Sequence, residues 1–220
     1  MKNNYYEKTK VPITLNTENA LGLVRDSSDP LYKIPIFLSY ATPYNKVQVL
    51  FLNKIMESVK TNLLFPRTLG ATDQYTETNM ISIRRMILST FGMMSIAFHR
   101  VYIEKAISRI YSPASQSFED FWLSSPYLQI EPSMAFQHGL PLMLMMEKGI
   151  NQDVTQNSIF GGIYAANSIP LNIIIFDLTS EKTINNFFAS AFWNEAFMNW
   201  IGQVRNAYAI KTEPDFKYEC

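Results

Sequence analysis

Cysteine is almost absent from this 220-residue chain. The one instance, Cys220, is the last residue, so neither an internal disulfide framework nor a cysteine-based structural zinc site is available. Histidine is nearly as scarce: His99 and His138 are the only two, which excludes a His-rich centre, and no metal is expected. Net charge is missing as well. Nineteen Lys plus Arg against nineteen Asp plus Glu leave no field to draw in nucleic acid or an anionic membrane surface. Long apolar runs are lacking, residues 140–146 and 173–176 being far short of the roughly 20 needed to span a bilayer. Residues 1–10 are polar and have no apolar core of the secretory-signal kind. A cytoplasmic protein with no membrane attachment is the expectation. The glycines form neither G-x-G-x-x-G nor G-x-x-x-x-G-K-[ST], and H-E-x-x-H is absent.

What is present is core material. Hydrophobic residues make up 47% and aromatics 14%, too rich for disorder. At roughly 150 residues per domain, the length fits one domain with extra segments.

The segments alternate. Residues 34–40 (IPIFLSY) read as a buried parallel strand. In residues 46–60, Val47, Phe51, Ile55 and Val59 recur at helical spacing, with Leu52 and Met56 beside them. A brief strand at 63–66 precedes a helix over 77–90, capped by Thr76, with Met80, Ile83 and Ile87 inward and Arg84 and Arg85 outward. Residues 92–98 form a third strand. After a mixed stretch to Ser125, a helix over 127–138 ends at Gly139 and Pro141, with Pro132 forcing a kink or a later start. Strands at 141–146 and 172–178 flank a long polar segment, and a helix over 181–208 follows. This order predicts an α/β fold, a doubly wound, mainly parallel five-stranded sheet with helices on both faces. The expected organisation is an N-terminal extension (1–33), an α/β domain (34–208) with insertions at about 101–125 and 147–171, and a C-terminal tail (209–220).

Open parallel sheets bind ligands beyond the carboxyl ends of their strands. That rule names Ser39 and Tyr40 after strand one, Arg67 after strand two, His99 and Arg100 after strand three, and the helix start at Tyr127. Glu131, close to that start, would face the crevice, and the helix dipole would help keep it ionised; an acid early in a helix also serves simply as electrostatic decoration. Ser39 is a ribose or phosphate contact or a turn residue. Arg67 is a diphosphate fork or a solvated loop cation. His99 joins the pocket or is a plain polar strand end. Tyr127 stacks on a base or packs in the core. His138, seven residues past Glu131, reads as structural. The closing helix repeats Trp193, Phe197, Trp200, Val204 and Tyr208, with further aromatics around it, which leaves room for a homo-oligomer contact.

Two families are similar to parts of this pattern. Phe37-Leu38-Ser39-Tyr40 resembles the F-[IL]-S-[YH] strand that opens Toll/interleukin-1 receptor (TIR) domains. Residues 125–131 (SPYLQIE) resemble S-x-W-C-x-x-E, with Tyr127 and Leu128 in place of Trp and Cys. Residues 66–70 (PRTLG) stand where the loop after strand two would be, without the full R-D-x-x-P-G, and Phe192-Trp193 stands for the late Phe-Trp box. The stretch from Glu131 through Ala135 and Gly139 to Pro141 and Leu142 is also similar to E-x-x-x-A-x-x-x-G-x-P-[VIL] of nucleoside 2-deoxyribosyltransferases and related nucleotide N-glycosidases.

Both resemblances imply cleavage of an N-glycosidic bond at a ribose, with Glu131 as the catalytic residue. The TIR resemblance implies an NAD-consuming enzyme, NAD being substrate rather than cofactor, with Ser39, Tyr40, Arg67, Asp73, His99 and Tyr127 around the substrate. It also implies bacterial antiphage defence of the Thoeris kind, in which the product, an ADP-ribose-type signal, is sensed by a separate effector protein. A deoxyribosyl transfer would further need a proton donor for the departing base, for which Asp73 or His99 are the candidates. The remaining alternative is a non-enzymatic TIR adaptor.

Overall fold

The structure, a computed structural model, describes residues 33–150, 162–164 and 173–212. All lie in the unit Lys33–Cys220. The expected N-terminal extension apart from Lys33, most of the 147–171 insertion and residues 213–220 lie outside the described residues.

Ile34–Tyr40 forms β1, whose central residues are buried on both faces, the reason it reads as a continuous apolar run. Helix α1, Lys46–Thr61, starts where the Asn45 side chain accepts the Gln48 N–H, and it buries Phe51, Leu52, Ile55 and Val59. Strand β2 is Leu64–Arg67, α2 is Asn79–Leu88 and β3 is Met93–Ala97. Strands β4 (Val101–Ser108) and β5 (Gln116–Leu123) precede α3, Tyr127–Gln137, and β6, Leu142–Glu147. The chain ends with β7 (Ile174–Phe176), α4 (Glu181–Ala189) and α5 (Ala191–Thr212).

The fold is α/β. Five strands form one sheet in the order β2-β1-β3-β6-β7, every neighbouring pair parallel, the flavodoxin-like arrangement. Pro66 is tolerated because β2 is an edge strand. Helices α2 and α3 pack together on the face where α3 covers β1, β3 and β6, while α1 lies with α4, and α5 reaches the end of α1 through Arg205, which donates to the Asn62 carbonyl. Phe51 anchors that second face, stacked on Phe176 at 4.1 Å between ring centres with Phe98, Phe187 and Phe188 around it. Among the described residues, no helix is long and apolar enough to cross a membrane.

Three elements differ from expectation. The mixed stretch before Ser125 is an antiparallel hairpin, β4 with β5, that stands outside the main sheet. The single closing helix is two, broken at Ser190, whose hydroxyl accepts the Trp193 N–H and caps α5. In α2 the cap is Thr78 rather than Thr76, so Met80 falls in the first turn and is 48% exposed while Met86 takes the inward position.

Gly92, just before β3, lets α5 approach closely. A Cβ there would sit 2.5 Å from Val204 Cγ2 and 3.5 Å from Trp200 Cζ2, against a side chain that is fully buried. Gly92→Ala is expected to destabilise by about 1–3 kcal/mol through overpacking. In thermal melts, adding Val204→Ala should recover part of that loss, so that the double variant is more stable than the sum of the singles requires.

Candidate functional site

Ser39 and Ser95 are direct register partners on β1 and β3, both buried, and α3 lies over this part of the sheet. From α3, Glu131 reaches down so that the Ser39 hydroxyl donates to its carboxylate. Glu131 is only 8% exposed, and Ser39 is its hydrogen-bond partner among the described residues. Burial pushes the Glu131 carboxyl up to about 7, with the Ser39 bond opposing. The helix dipole does not hold it ionised as expected. The chain enters the helix at Tyr127, so Glu131 is in the second turn, where the dipole has faded, and desolvation decides. Pro132 follows it within an unbroken helix.

Glu131 opens on a crevice of about 490 Å³ at the carboxyl ends of the strands, walled by Leu69, Gly70 and Asp73 to Tyr75 after β2, by Glu77, Asn79, Ser82 and Ile83 at the start of α2, and by Tyr127. Asn79 donates to the Tyr127 hydroxyl at 2.8 Å, joining the two helix starts. Behind the Glu131 wall, the Gly162–Tyr164 turn packs on α3: Ile163 N–H donates to the Gln129 side chain, and the buried Tyr164 hydroxyl bonds Ser95 at 2.8 Å. Burial and the Glu131 charge both push the Tyr164 phenol up.

Of the residues named from sequence, Asp73, Tyr127 and Glu131 line this crevice, and Ser39 stands behind Glu131 as its hydrogen-bond donor. Arg67 stands beside it with its guanidinium committed. Its Nε and Nη2 donate to Asp73, Nη2 also to the Tyr75 hydroxyl, and Nη1 to the Ser89 hydroxyl and carbonyl. That accounts for all five N–H groups of the fork, so none is left for a diphosphate. Burial opposes it, but the Arg67 bonds carry Asp73 below its ordinary pKa, and it is a fixed anion rather than a proton donor. Tyr40 packs against the core with its hydroxyl bonded to Thr68, and burial holds the phenol up.

His99 is elsewhere. It stacks on Trp122 at 4.6 Å, its Nε2 lies 2.9 Å from the Lys148 carbonyl, and its Nδ1 is 3.4 Å from the Glu147 carboxylate. Burial lowers its pKa against the Glu147 charge. This cluster borders a separate cavity of about 420 Å³ with Gly149, Asp177 and Thr179. The Glu147 carboxylate also accepts from the His99 backbone N–H and the Gln48 amide, so it ties β3, β6 and α1 together. The expected His99 donor therefore lies outside the Glu131 crevice.

Sequence reasoning missed Glu77, Asn79, Tyr75 and Tyr164 as parts of the site. Glu77 was legible only as a helix start, and the Tyr164 contact depends on a long-range return of the chain. Among the described residues, no three His, Cys, Asp or Glu side chains stand close enough to hold a metal ion. No protein-family model, curated protein or solved structure matches this chain.

Proposed function

We propose that this protein is an N-glycosidic bond-cleaving enzyme acting on NAD, with Glu131 stabilising positive charge on the ribose as nicotinamide leaves. The observation that carries the reading is a nearly buried carboxylate, held by one serine, at the inner wall of a crevice of about 490 Å³. Nicotinamide departs as a neutral base from a cationic glycoside and requires no general acid. That suits a crevice in which Asp73 is locked to Arg67 and His99 is absent. A deoxyribosyltransferase or nucleoside N-glycosidase needs a proton for its leaving base, and of the two donors expected for that task Asp73 is a fixed anion and His99 borders the other cavity. In this reading the enzyme works in the cytoplasm as a homo-oligomer, and its ADP-ribose product, cyclic, linear or conjugated, signals to a separate effector in antiphage defence.

The test incubates purified protein, at high concentration with a crowding agent, with NAD and with a panel of nucleosides, and follows base release by chromatography. Nicotinamide release that Glu131→Gln abolishes supports the reading. Release indifferent to that change sinks the site, base release from nucleosides alone favours the transferase, and no release from any substrate favours an adaptor.

The ionised carboxylate is the working form, so kcat/KM should fall as the pH drops through about 7. Ser39→Ala removes the bond that favours ionisation and should move this acid limb to higher pH. An unmoved limb would separate Glu131 from the titration.

A further inference from the structure

The crevice contains three carboxylates, Asp73, Glu77 and Glu131, and among the described residues no lysine, arginine or histidine lines it. Arg67 has spent its donors on Asp73, Tyr75 and Ser89. Arg85 pairs with Glu77 and lies over the Tyr75 ring at 5.0 Å. Residues 151–172 include no lysine or arginine, so that stretch of chain brings no cation either. Phosphate recognition rests on cations or on free N–H groups at helix starts.

The two helix starts at the crevice do not welcome an anion either. In α3, the Leu128 N–H bonds the Ser125 carbonyl, and the Gln129 and Ile130 N–H groups bond the Pro126 carbonyl. At α2 no side chain caps the first turn, but Glu77, immediately before the Thr78 cap and itself part of the wall, sets a carboxylate where an anion would have to approach. Two features instead favour a cation. Among the described residues, Glu131 is buried without a positive partner, and one Glu77 oxygen, Oε2, is buried with no hydrogen-bond partner. The Tyr127 ring, part of the wall and 41% exposed, offers a π face to a planar cation.

We infer that the crevice recognises the N-ribosyl pyridinium cation itself and reads no phosphate, so that its substrate class is cationic pyridinium ribosides, NAD being one member whose diphosphate lies outside the carboxylate-lined pocket. This deepens the proposed function and rests on it. In the reaction the C1′–N bond breaks and its electron pair goes to the ring nitrogen, which becomes neutral. Water forms the new C1′–O bond and its proton passes to the Glu131 carboxylate and then to solvent. Glu77 and Tyr127 hold the cation before cleavage and lose their attraction to the neutral base after it, which favours release.

The test compares kcat/KM for NAD, nicotinamide mononucleotide, nicotinamide riboside and the uncharged nucleoside inosine. Nicotinamide riboside should be cleaved within about tenfold of NAD, and inosine at least about a hundredfold more slowly. Arg67→Ala, whatever it costs in loop order, should lower NAD and riboside cleavage by the same factor, because the guanidinium touches neither phosphate. Glu77→Gln should lower kcat/KM for riboside and NAD alike by about three- to tenfold, as expected for loss of one charge contact to a cation. Glu131-dependent cleavage of NAD with the riboside a hundredfold or more poorer overturns this inference and leaves the proposed function standing. So does an Arg67→Ala defect confined to NAD. Inosine cleaved as fast as the riboside removes the charge selection. Absence of cleavage with every pyridinium riboside overturns both readings.

Discussion

Replacing Glu131 with glutamine is expected to give a protein that releases no measurable nicotinamide and gains stability over the parent as the pH rises. The loss of activity should be at least about a hundred- to a thousandfold, the range for removing a preorganised charge from a transition state. Stability follows from the same burial. The carboxyl titrates at about 7 in the folded protein against an ordinary 4.5. Because the folded state prefers the neutral acid, the contribution of Glu131 is fully present below about pH 4.5, declines above it, and is lost once the pH passes about 7. The difference between those limits is about 3 kcal/mol. Glutamine is neutral at every pH and keeps an oxygen for the Ser39 hydroxyl; its extra amide hydrogens cost about 1–3 kcal/mol if unpartnered, but equally at all pH values. The signature is therefore relative: from pH 4.5 to pH 8 the melting temperature of the variant should rise against the parent by roughly 6–12 °C. A gap that does not change with pH would mean that Glu131 is not held neutral by burial. An inactive variant that is also more stable is the pattern of a residue kept for chemistry at the expense of folding.

Periodicity carried the reading of sheet and helices because both faces of the sheet are covered. IPIFLSY and LMLMME are apolar at nearly every position, and α1 and α5 show their buried stripes at intervals of three and four. The hairpin escaped that logic. Most of its residues are exposed on both faces, charges such as Glu104, Lys105, Glu119 and Asp120 interrupt the alternation, and its turn is the irregular residues 109–115 rather than an Asn-Gly pair. The break at Ser190 was legible in principle, as a serine two residues before the Phe192-Trp193 pair, but the continuous stripe on either side masks it. At the site, order along the chain placed Ser39 and Glu131 at the same edge, and the structure joins them. Order could not say which cavity a strand end serves. Glu147, read as the start of a polar connection, is buried at the end of β6 and draws His99 away from the crevice. Arg67 likewise looked free because its partner Asp73, six residues on, is set by the loop rather than by spacing.

Gly162→Ala is expected to lower kcat by tenfold or more while leaving the sheet folded. Gly162 has φ +75°, a conformation that costs a residue with a side chain about 1 kcal/mol, and an added Cβ would lie 2.6 Å from Gln129 Oε1 and 3.5 Å from its Cδ. Gln129 is on α3, two residues before Glu131, and its Oε1 already accepts the Ile163 N–H at 3.2 Å. Either Gln129 swings aside, giving up the Ile163 N–H that ties the turn to α3, or the turn itself moves, and in both cases the hold on Tyr164 is loosened. Tyr164 is the buried group whose hydroxyl bonds Ser95, the register partner of Ser39. Displacing it opens space next to the Ser39 and Glu131 pair, admits water, and lowers the desolvation that sets the Glu131 carboxyl at about 7. Two readouts follow from one cause: kcat falls, and the acid limb of the pH profile moves down toward ordinary carboxylate values. Tyr164→Phe keeps the ring in place and deletes only the bond to Ser95, so it should change kcat less and move the limb little. If Gly162→Ala lowers the melting temperature but alters neither kcat nor the limb, the turn supports α3 without contributing to the site. If both kinetic readouts move, then the polar segment between β6 and β7, a connection of unusual length by its spacing alone, is part of the device that keeps the carboxylate dry.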